Sequence, residues 1–136
     1  RIDRELRGCC GTLEPSRPLA ADVARTSFQA AFRDSRFDPL RHSELETIRL
    51  EVSVLSGTEP IAVKDEADLL SQLSPGIDGL IIVEGLRRAT FLPKVWEQLP
   101  NPRQFLAALK GKCGLPRDYW SDRLEFLRYR TTTYSE

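Results

Sequence analysis

The longest uninterrupted apolar run in this chain is Leu80-Ile81-Ile82-Val83. It is far too short to cross a bilayer, for which a helix needs about 20 apolar residues. Apolar side chains on both faces of an extended segment are typical of a central strand, covered on each side. Gly85 allows a turn into a second strand over residues 87–91. The chain is therefore predicted to build a sheet with other elements packed on it.

Alternation and helical periodicity place the remaining elements. A strand over residues 47–56 would direct Ile48, Leu50, Val52 and Val54 toward the core. A hairpin is expected within residues 1–12 and a last strand over residues 123–132. Helices are expected over residues 19–34, 65–73, 93–98 and from Asn101-Pro102 to about Gly111.

Strands and helices mix in this order without strict alternation. The predicted fold class is therefore α+β, a largely antiparallel sheet with helices packed on it. A strand leading through proline into a helix occurs near residues 11–18 and again near 91–93, which suggests an internal duplication. A length of 136 residues fits a single domain over residues 1–136.

Charge and cysteine content restrict the function classes. Twenty basic and 20 acidic residues cancel, which argues against a protein held to nucleic acid or to an anionic membrane by its overall field. The chain has an odd number of cysteines, Cys9, Cys10 and Cys113, and none of them has Cys-x-x-Cys spacing. Because His42 is also the sole histidine, no metal site is expected. No glycine-rich phosphate loop is present, and we expect no cofactor. Reduced thiols and no signal-peptide pattern predict a cytoplasmic protein.

The segment Leu6-Arg7-Gly8-Cys9-Cys10-Gly11 is the most function-like stretch. In extended chain its side chains alternate between two faces. Leu6 identifies one face as the core, so Cys10 on that face is predicted to be a small buried hydrophobe. Cys9 then points away from the core, on the same face as Arg7.

A guanidinium beside Cys9 would stabilise its thiolate. Gly8 and Gly11 remove side chains on either side and so let a ligand or another backbone approach. The functional hypothesis is a reactive or ligand-contacting Cys9 with Arg7 as an anion clamp. The alternative is that Cys9 packs against a neighbouring layer and Arg7 is a solvated strand residue, because free cysteines are usually inert.

Two further residue pairs are candidates for a functional site. Glu51 and Ser53 project from the polar face of the strand over residues 47–56 and could bind a polar ligand or share a proton. Arg88 and Thr90 share one face of the strand over residues 87–91, next to a second arginine, which hints at phosphate or carboxylate binding. The alternative for Glu51 and Ser53 is a surface strand face on which Glu51 pairs with an arginine. The alternative for Arg88 and Thr90 is an ordinary charged surface.

Residues 6–15 resemble the Leu-Arg-Gly-Cys-Ile-Gly signature of the AMMECR family. The chain is identified as similar to the prokaryotic protein A of the AmmeMemoRadiSam system. The resemblance continues, in order, through residues 31–37, 48–55, 76–80, 88–96, 105–106 and 112–116. Cys10 stands where the signature has isoleucine, which leaves Cys9 as the signature cysteine. The family usually carries a helix and a strand before the signature, and residues 1–136 are expected to lack both.

The resemblance implies an α+β fold and a cleft near the signature, but no established reaction. It adds Arg36 to the expected cleft residues, together with Glu51, Ser53 and Thr90. It also implies a Memo-like protein and a radical-SAM enzyme as partners in a modification pathway.

Three hypotheses remain open at this point. The first is an enzyme, or an enzyme component, with Cys9 as nucleophile or acceptor, Arg7 holding an anion and Glu51 handling a proton. The second is a binding or adaptor module that does no chemistry. The third is an RNA-binding or RNA-modification protein with arginines on phosphates, and the zero net charge disfavours it.

Overall fold

A computed structural model describes all residues, 1–136. The chain divides into two compact units, residues 1–53 with 133–136, and residues 54–132. Short 3₁₀ helices span His42–Glu44 and Pro93–Glu97. The α-helices are α1 Leu19–Phe32, α2 Glu66–Gln72 and α3 Pro102–Lys112, and the strands are β1 Glu51–Leu55, β2 Glu59–Pro60, β3 Gly79–Glu84, β4 Arg87–Phe91, β5 Glu125–Tyr129 and β6 Thr131–Ser135.

The second unit contains a four-stranded sheet in the order β2-β5-β3-β4. All three strand pairs are antiparallel, with Ile82 of β3 opposite Ala89 on one side and Phe126 on the other. Leu80 and Ile82 are fully buried, and Ile81 nearly so. The predicted α+β fold and the central position of residues 79–83 are confirmed.

Helices α2 and α3 bury one face each in the core of this unit. The Asp65 carboxylate accepts the Asp68 N–H at 2.8 Å and so caps the start of α2. The Asn101 side chain accepts two backbone N–H groups at the start of α3. The fully buried apolar side chains of these two helices are Leu69, Phe105, Leu106 and Leu109.

Trp96 also belongs to this core. Its ring lies parallel to that of Phe105, with 3.7 Å between centroids. Its Nε1–H donates to the Asp78 carbonyl at 2.7 Å. The interpretation of Trp96 as a core residue is confirmed, and its indole N–H has a hydrogen-bond acceptor within the core.

The first unit has no comparable core. Helix α1 forms as the periodicity predicts, but none of its residues is buried. Phe28 and Phe32, on the apolar stripe, are 53% and 44% exposed, and their rings lie 4.9 Å apart. The helix predicted over residues 19–34 is therefore present, but periodicity defines its apolar face without showing what covers it.

A two-stranded sheet joins β1 and β6. The strand predicted over residues 47–56 is confirmed only as β1, and Leu50, expected in the core, is 46% exposed. The single last strand predicted over residues 123–132 is wrong. The chain there forms β5 and β6, which belong to different sheets, and the break falls at Arg130, whose N–H donates to the Ser56 hydroxyl at 2.8 Å. No glycine or proline stands at or beside Arg130, so the local sequence does not mark a change of strand partner.

The segment around the signature is not part of a sheet. Residues 2–5 form the predicted tight hairpin, with a bridge between Ile2 and Glu5. Residues 6–17 contain no strand, so the suggested internal duplication lacks its first strand and stays a prediction. None of the helices is long and apolar enough to span a bilayer.

Candidate functional site

Gly8 lies against the C-terminal part of α1. A Cβ atom on this residue would collide with the backbone carbonyl of Ala30. Only glycine allows this approach, as the signature pattern suggested, although the neighbour is a helix rather than a ligand. A Cβ on Gly11, by contrast, would meet open space.

Arg7 fixes the same segment to the loop that follows α1. Its guanidinium forms a two-pronged pair with the Glu44 carboxylate, at 2.7 and 2.9 Å. It also donates to the carbonyls of Asp38 and Pro39, at 2.8 and 3.5 Å. Glu44 further accepts the Arg41 backbone N–H at 2.7 Å. These bonds use four of the five N–H donors of Arg7, so its side chain anchors the segment. Its role as an anion clamp stays a prediction.

The Glu44 carboxyl is strongly stabilised in its ionised form. The hydrogen bond from Arg7, with a second one from the Arg41 backbone, lowers its pKa from 4.5 to about 2. The same pairing raises the pKa of Arg7. The ion pair is therefore fully charged at neutral pH.

Asp34 is the third anchor. One of its carboxylate oxygens accepts the backbone N–H of Cys9 at 2.9 Å. The carboxylate also binds Arg36 through Nε at 2.9 Å and Nη2 at 2.7 Å. The Arg36 bonds, with the Cys9 N–H, hold the pKa of Asp34 well below its usual 3.8. Asp34 thereby links the signature cysteine to Arg36.

The Cys9 thiol is exposed, and the Cys9 backbone N–H shares the Asp34 carboxylate with the Arg36 guanidinium. Asp34 is the main cause of the raised pKa of Arg36, and the nearby Cys9 side chain adds to the same rise. The sequence predicted a guanidinium beside this thiol but assigned it to Arg7. The structure places Arg36 there, because residues 6–12 are not a strand and two-residue alternation does not apply to them.

Cys10 is exposed as well, so the prediction that it faces the core is wrong. Its Sγ donates to the side-chain oxygen of Gln29 in α1, at 3.2 Å. Leu6, taken as the marker of the core face, is itself 41% exposed. The inferred core face of this segment does not exist within the first unit.

An open depression of about 600 Å³ is lined by Arg7 and Glu44. The side chains of Arg36 and Arg41 line it together with Phe37, and the Arg36 guanidinium lies 5.5 Å from the Phe37 ring centre. Both arginines are more than half exposed. This concave surface, lined in part by Arg36, could receive a ligand.

The other predicted site residues belong to β1 and β4. Glu51 begins β1, and the Ser53 hydroxyl shares a 2.9 Å hydrogen bond with that of Thr133 in β6. Arg88 and Thr90 belong to β4 of the second unit. The Thr90 hydroxyl bonds to the Leu80 carbonyl and to the Tyr129 hydroxyl, at 2.9 and 2.8 Å, which gives it a structural role inside that unit.

Asp34, Glu44 and Gln29 were not among the predicted site residues. Glu44 and Arg7 are 37 positions apart, and Asp34 and Cys9 are 25 apart. One signal was present, since Asp34 and Arg36 stand two residues apart just after the predicted end of α1, where a carboxylate readily binds nearby N–H groups.

The fold and this site define an α+β protein of antiparallel sheets that presents an anchored, exposed cysteine beside an arginine. The family model of AMMECR1 matches residues 1–134, and the chain belongs to that family.

Relatives agree with this assignment. A Methanocaldococcus jannaschii protein is 36% identical over 98% of this chain and 68% of its own length. A Saccharolobus islandicus protein is 43% identical over 86% of this chain and 52% of its own. The crystal structure of an uncharacterized Pyrococcus horikoshii protein superposes with a TM-score of 0.86 at 28% identity, over 99% of this chain and 70% of that one. The chain spans 57% and 62% of the length of two other archaeal relatives, from Thermofilum pendens and Methanothermobacter thermautotrophicus.

Proposed function

We propose that this AMMECR1-family protein is an enzyme, or a component of one, in which the Cys9 thiolate is the nucleophile or acceptor. The observation that carries the proposal is an exposed thiol on a backbone fixed at three points and flanked by Arg36. A cysteine near an arginine and open to solvent is the environment in which thiolates form and react.

Each neighbouring residue has a role in this proposal. Arg36 stabilises the thiolate, and Asp34 orients Arg36 through two hydrogen bonds. Arg7 and Gly8 hold the backbone of Cys9 in place. Glu51 remains the residue predicted to handle a proton, and the depression beside Arg36 and Arg41 would receive the substrate. Fixing a nucleophile in advance lowers the entropic cost of reaching the transition state.

The test is the rate at which iodoacetamide alkylates each cysteine at neutral pH, resolved by peptide mass spectrometry. Cys9 should react fastest, Cys10 more slowly, and Cys113 least, because Cys113 is buried and burial raises the pKa of its thiol. Arg36→Ala should slow Cys9 on the order of tenfold, because it removes the neighbouring positive charge and exposes the Asp34 carboxylate.

Arg41→Ala is the matched control, since Arg41 lines the same depression but contacts Asp38 instead of Asp34. Arg41→Ala should change the alkylation rate of Cys9 by less than about twofold relative to the parent protein, because solvent screens the charge of Arg41. A Cys9 rate no higher than that of Cys10, or equal losses in the two arginine variants, would refute the reactive-thiol proposal.

A second candidate is a binding or adaptor module, and the exposed apolar face of α1 favours it. A Memo-like or radical-SAM protein would be the partner. Capture of such a partner should then survive Cys9→Ser and be lost in Phe28→Ser, whereas an enzyme acting through Cys9 would show the reverse dependence in complementation of a deletion strain.

A further inference from the structure

The depression lined by Arg36 and Arg41 presents more hydrogen-bond donors than the protein itself uses. A guanidinium carries five N–H groups. Arg36 donates from Nε and Nη2 to the Asp34 carboxylate, and its Nη1 group donates to no oxygen of the protein. The Arg41 guanidinium reaches Asp38 only at 3.9 Å, which is too long for a hydrogen bond. Both side chains therefore keep N–H groups that a ligand can use.

The acidic groups of this surface leave those donors available. The Glu44 carboxylate already accepts from the Arg7 guanidinium and from the Arg41 backbone N–H. Asp38 is 83% exposed, so solvent screens its attraction for Arg41. The lining has three arginines and two carboxylates, and with Asp34 included the charges cancel. A ligand is therefore attracted by direct hydrogen bonds and not by a long-range field.

The Arg36 guanidinium is held in place before any ligand binds. Asp34 binds it through two parallel hydrogen bonds, and the Phe37 ring centre lies 5.5 Å from it. A guanidinium that is fixed by a carboxylate and by an aromatic ring loses little further freedom on binding. The cost of ordering this donor is thus already met within the folded chain.

We propose that the depression binds an oxyanion of the substrate, a carboxylate or a phosphate group, through Arg36 and Arg41. The Nη1 group of Arg36 and the guanidinium of Arg41 donate to its oxygens, and the Ser43 hydroxyl of the same lining is a further donor. A charged acceptor is favoured over a neutral one because hydrogen bonds between a guanidinium and an oxyanion are about twice as strong. This role rests on the proposed function, because the bound group belongs to the molecule that reacts with Cys9.

Binding is measured by NMR, from the arginine Nε–H resonances, as inorganic phosphate or acetate is added near neutral pH and at constant ionic strength. The Arg36 and Arg41 resonances should shift and saturate with at least one of the two anions. The anion that binds more tightly identifies the group as phosphate or carboxylate. Arg41→Ala should weaken this binding roughly tenfold, because it removes charge-assisted hydrogen bonds.

Arg25→Ala is the matched control, since Arg25 is an exposed arginine of α1 that does not line the depression. It removes the same charge and should change the affinity by less than about twofold. The absence of saturable shifts with both anions, or equal losses of affinity in the two variants, would overturn the oxyanion site.

A second measurement connects the site to Cys9. Iodoacetate and iodoacetamide have the same leaving group, but only iodoacetate carries a carboxylate. The ratio of the iodoacetate rate to the iodoacetamide rate should be about fivefold or more higher at Cys9 than at Cys10, because bound oxyanions concentrate beside the thiol. Arg41→Ala should lower the ratio at Cys9 toward that at Cys10, and Arg25→Ala should not.

The two measurements separate this inference from the reactive thiol itself. Slow alkylation of Cys9 by both reagents, with saturable phosphate or acetate binding, would refute the nucleophile and retain the oxyanion site. Fast alkylation of Cys9 by iodoacetamide, with a ratio no higher than at Cys10, would retain the nucleophile and overturn the assignment of the oxyanion to its substrate.

Discussion

At the residue scale, the signature is best understood as a set of anchors around one exposed thiol. Gly8 allows contact with α1, Arg7 binds Glu44, and the Cys9 backbone N–H binds Asp34. Each of these three contacts joins residues 7–9 to a different position in the segment from Ala30 to Glu44. The anchoring bond of Cys9 is made by its backbone N–H and not by its sulfur.

The Arg7–Glu44 pair predicts a specific dependence of stability on pH. The pKa of Glu44 is lowered from 4.5 to about 2, so the pair contributes fully above about pH 4.5 and its contribution is lost as pH falls toward 2. Glu44→Gln should therefore lower the free energy of unfolding most at neutral pH. The difference between the two proteins, from urea denaturation, should shrink steadily below pH 4.5.

Asp34→Asn serves as a comparison for that measurement, because the pKa of Asp34 is lowered in the same direction by Arg36. For both variants, the difference in the free energy of unfolding from the parent protein should shrink as the pH is lowered. A Glu44→Gln difference that stays constant from neutral pH down to pH 2 would show that the charge of Glu44 does not stabilise the folded chain.

At the element scale, a buried lysine links α2 to α3. Lys110 is completely buried, and its ammonium donates to Glu66 at 2.9 Å and to the Arg117 carbonyl at 3.4 Å. The ring of Trp120 lies 5.8 Å away. Periodicity alone does not predict a lysine in the core, since charged side chains are rarely fully buried unless they are paired.

Removing one partner of this pair should cost more than replacing the lysine. Glu66→Ala leaves a buried ammonium with a weak carbonyl partner, and we expect it to lower the free energy of unfolding by about 1–3 kcal/mol, below the range for a fully buried pair because Glu66 is 41% exposed. Lys110→Met fills the same space without a charge and should cost less than about 1 kcal/mol. Chemical denaturation compares the two, and a larger loss for Lys110→Met would contradict this account.

At the scale of the whole molecule, the fully buried side chains all lie in the second unit. Phe105→Ala, which removes a ring packed on Trp96, should lower the free energy of unfolding by about 3–5 kcal/mol. Phe28→Ala removes a ring of the same size that is 53% exposed and should cost less than about 1 kcal/mol.

Thermal unfolding of both variants, followed by circular dichroism, provides the measurement. A cost at Phe28 close to that at Phe105 would mean that the apolar face of α1 is covered in solution. The single-domain prediction for residues 1–136 remains a prediction, although the two units differ in how much they bury.

The sequence by itself determined the central strand, the helices and the family, because each depends on local periodicity or on a continuous motif. Residues 80–83 are apolar on both faces of an extended chain, which is typical of a strand inside a sheet that is covered on both sides. Residues 6–11 carry the family signature in one continuous stretch. Only the tertiary structure decided which arginine lies beside Cys9, that Cys10 is exposed, and that the last strand splits at Arg130. Those outcomes depend on contacts between residues distant in the chain, and neither hydrophobic periodicity nor side-chain alternation records such contacts.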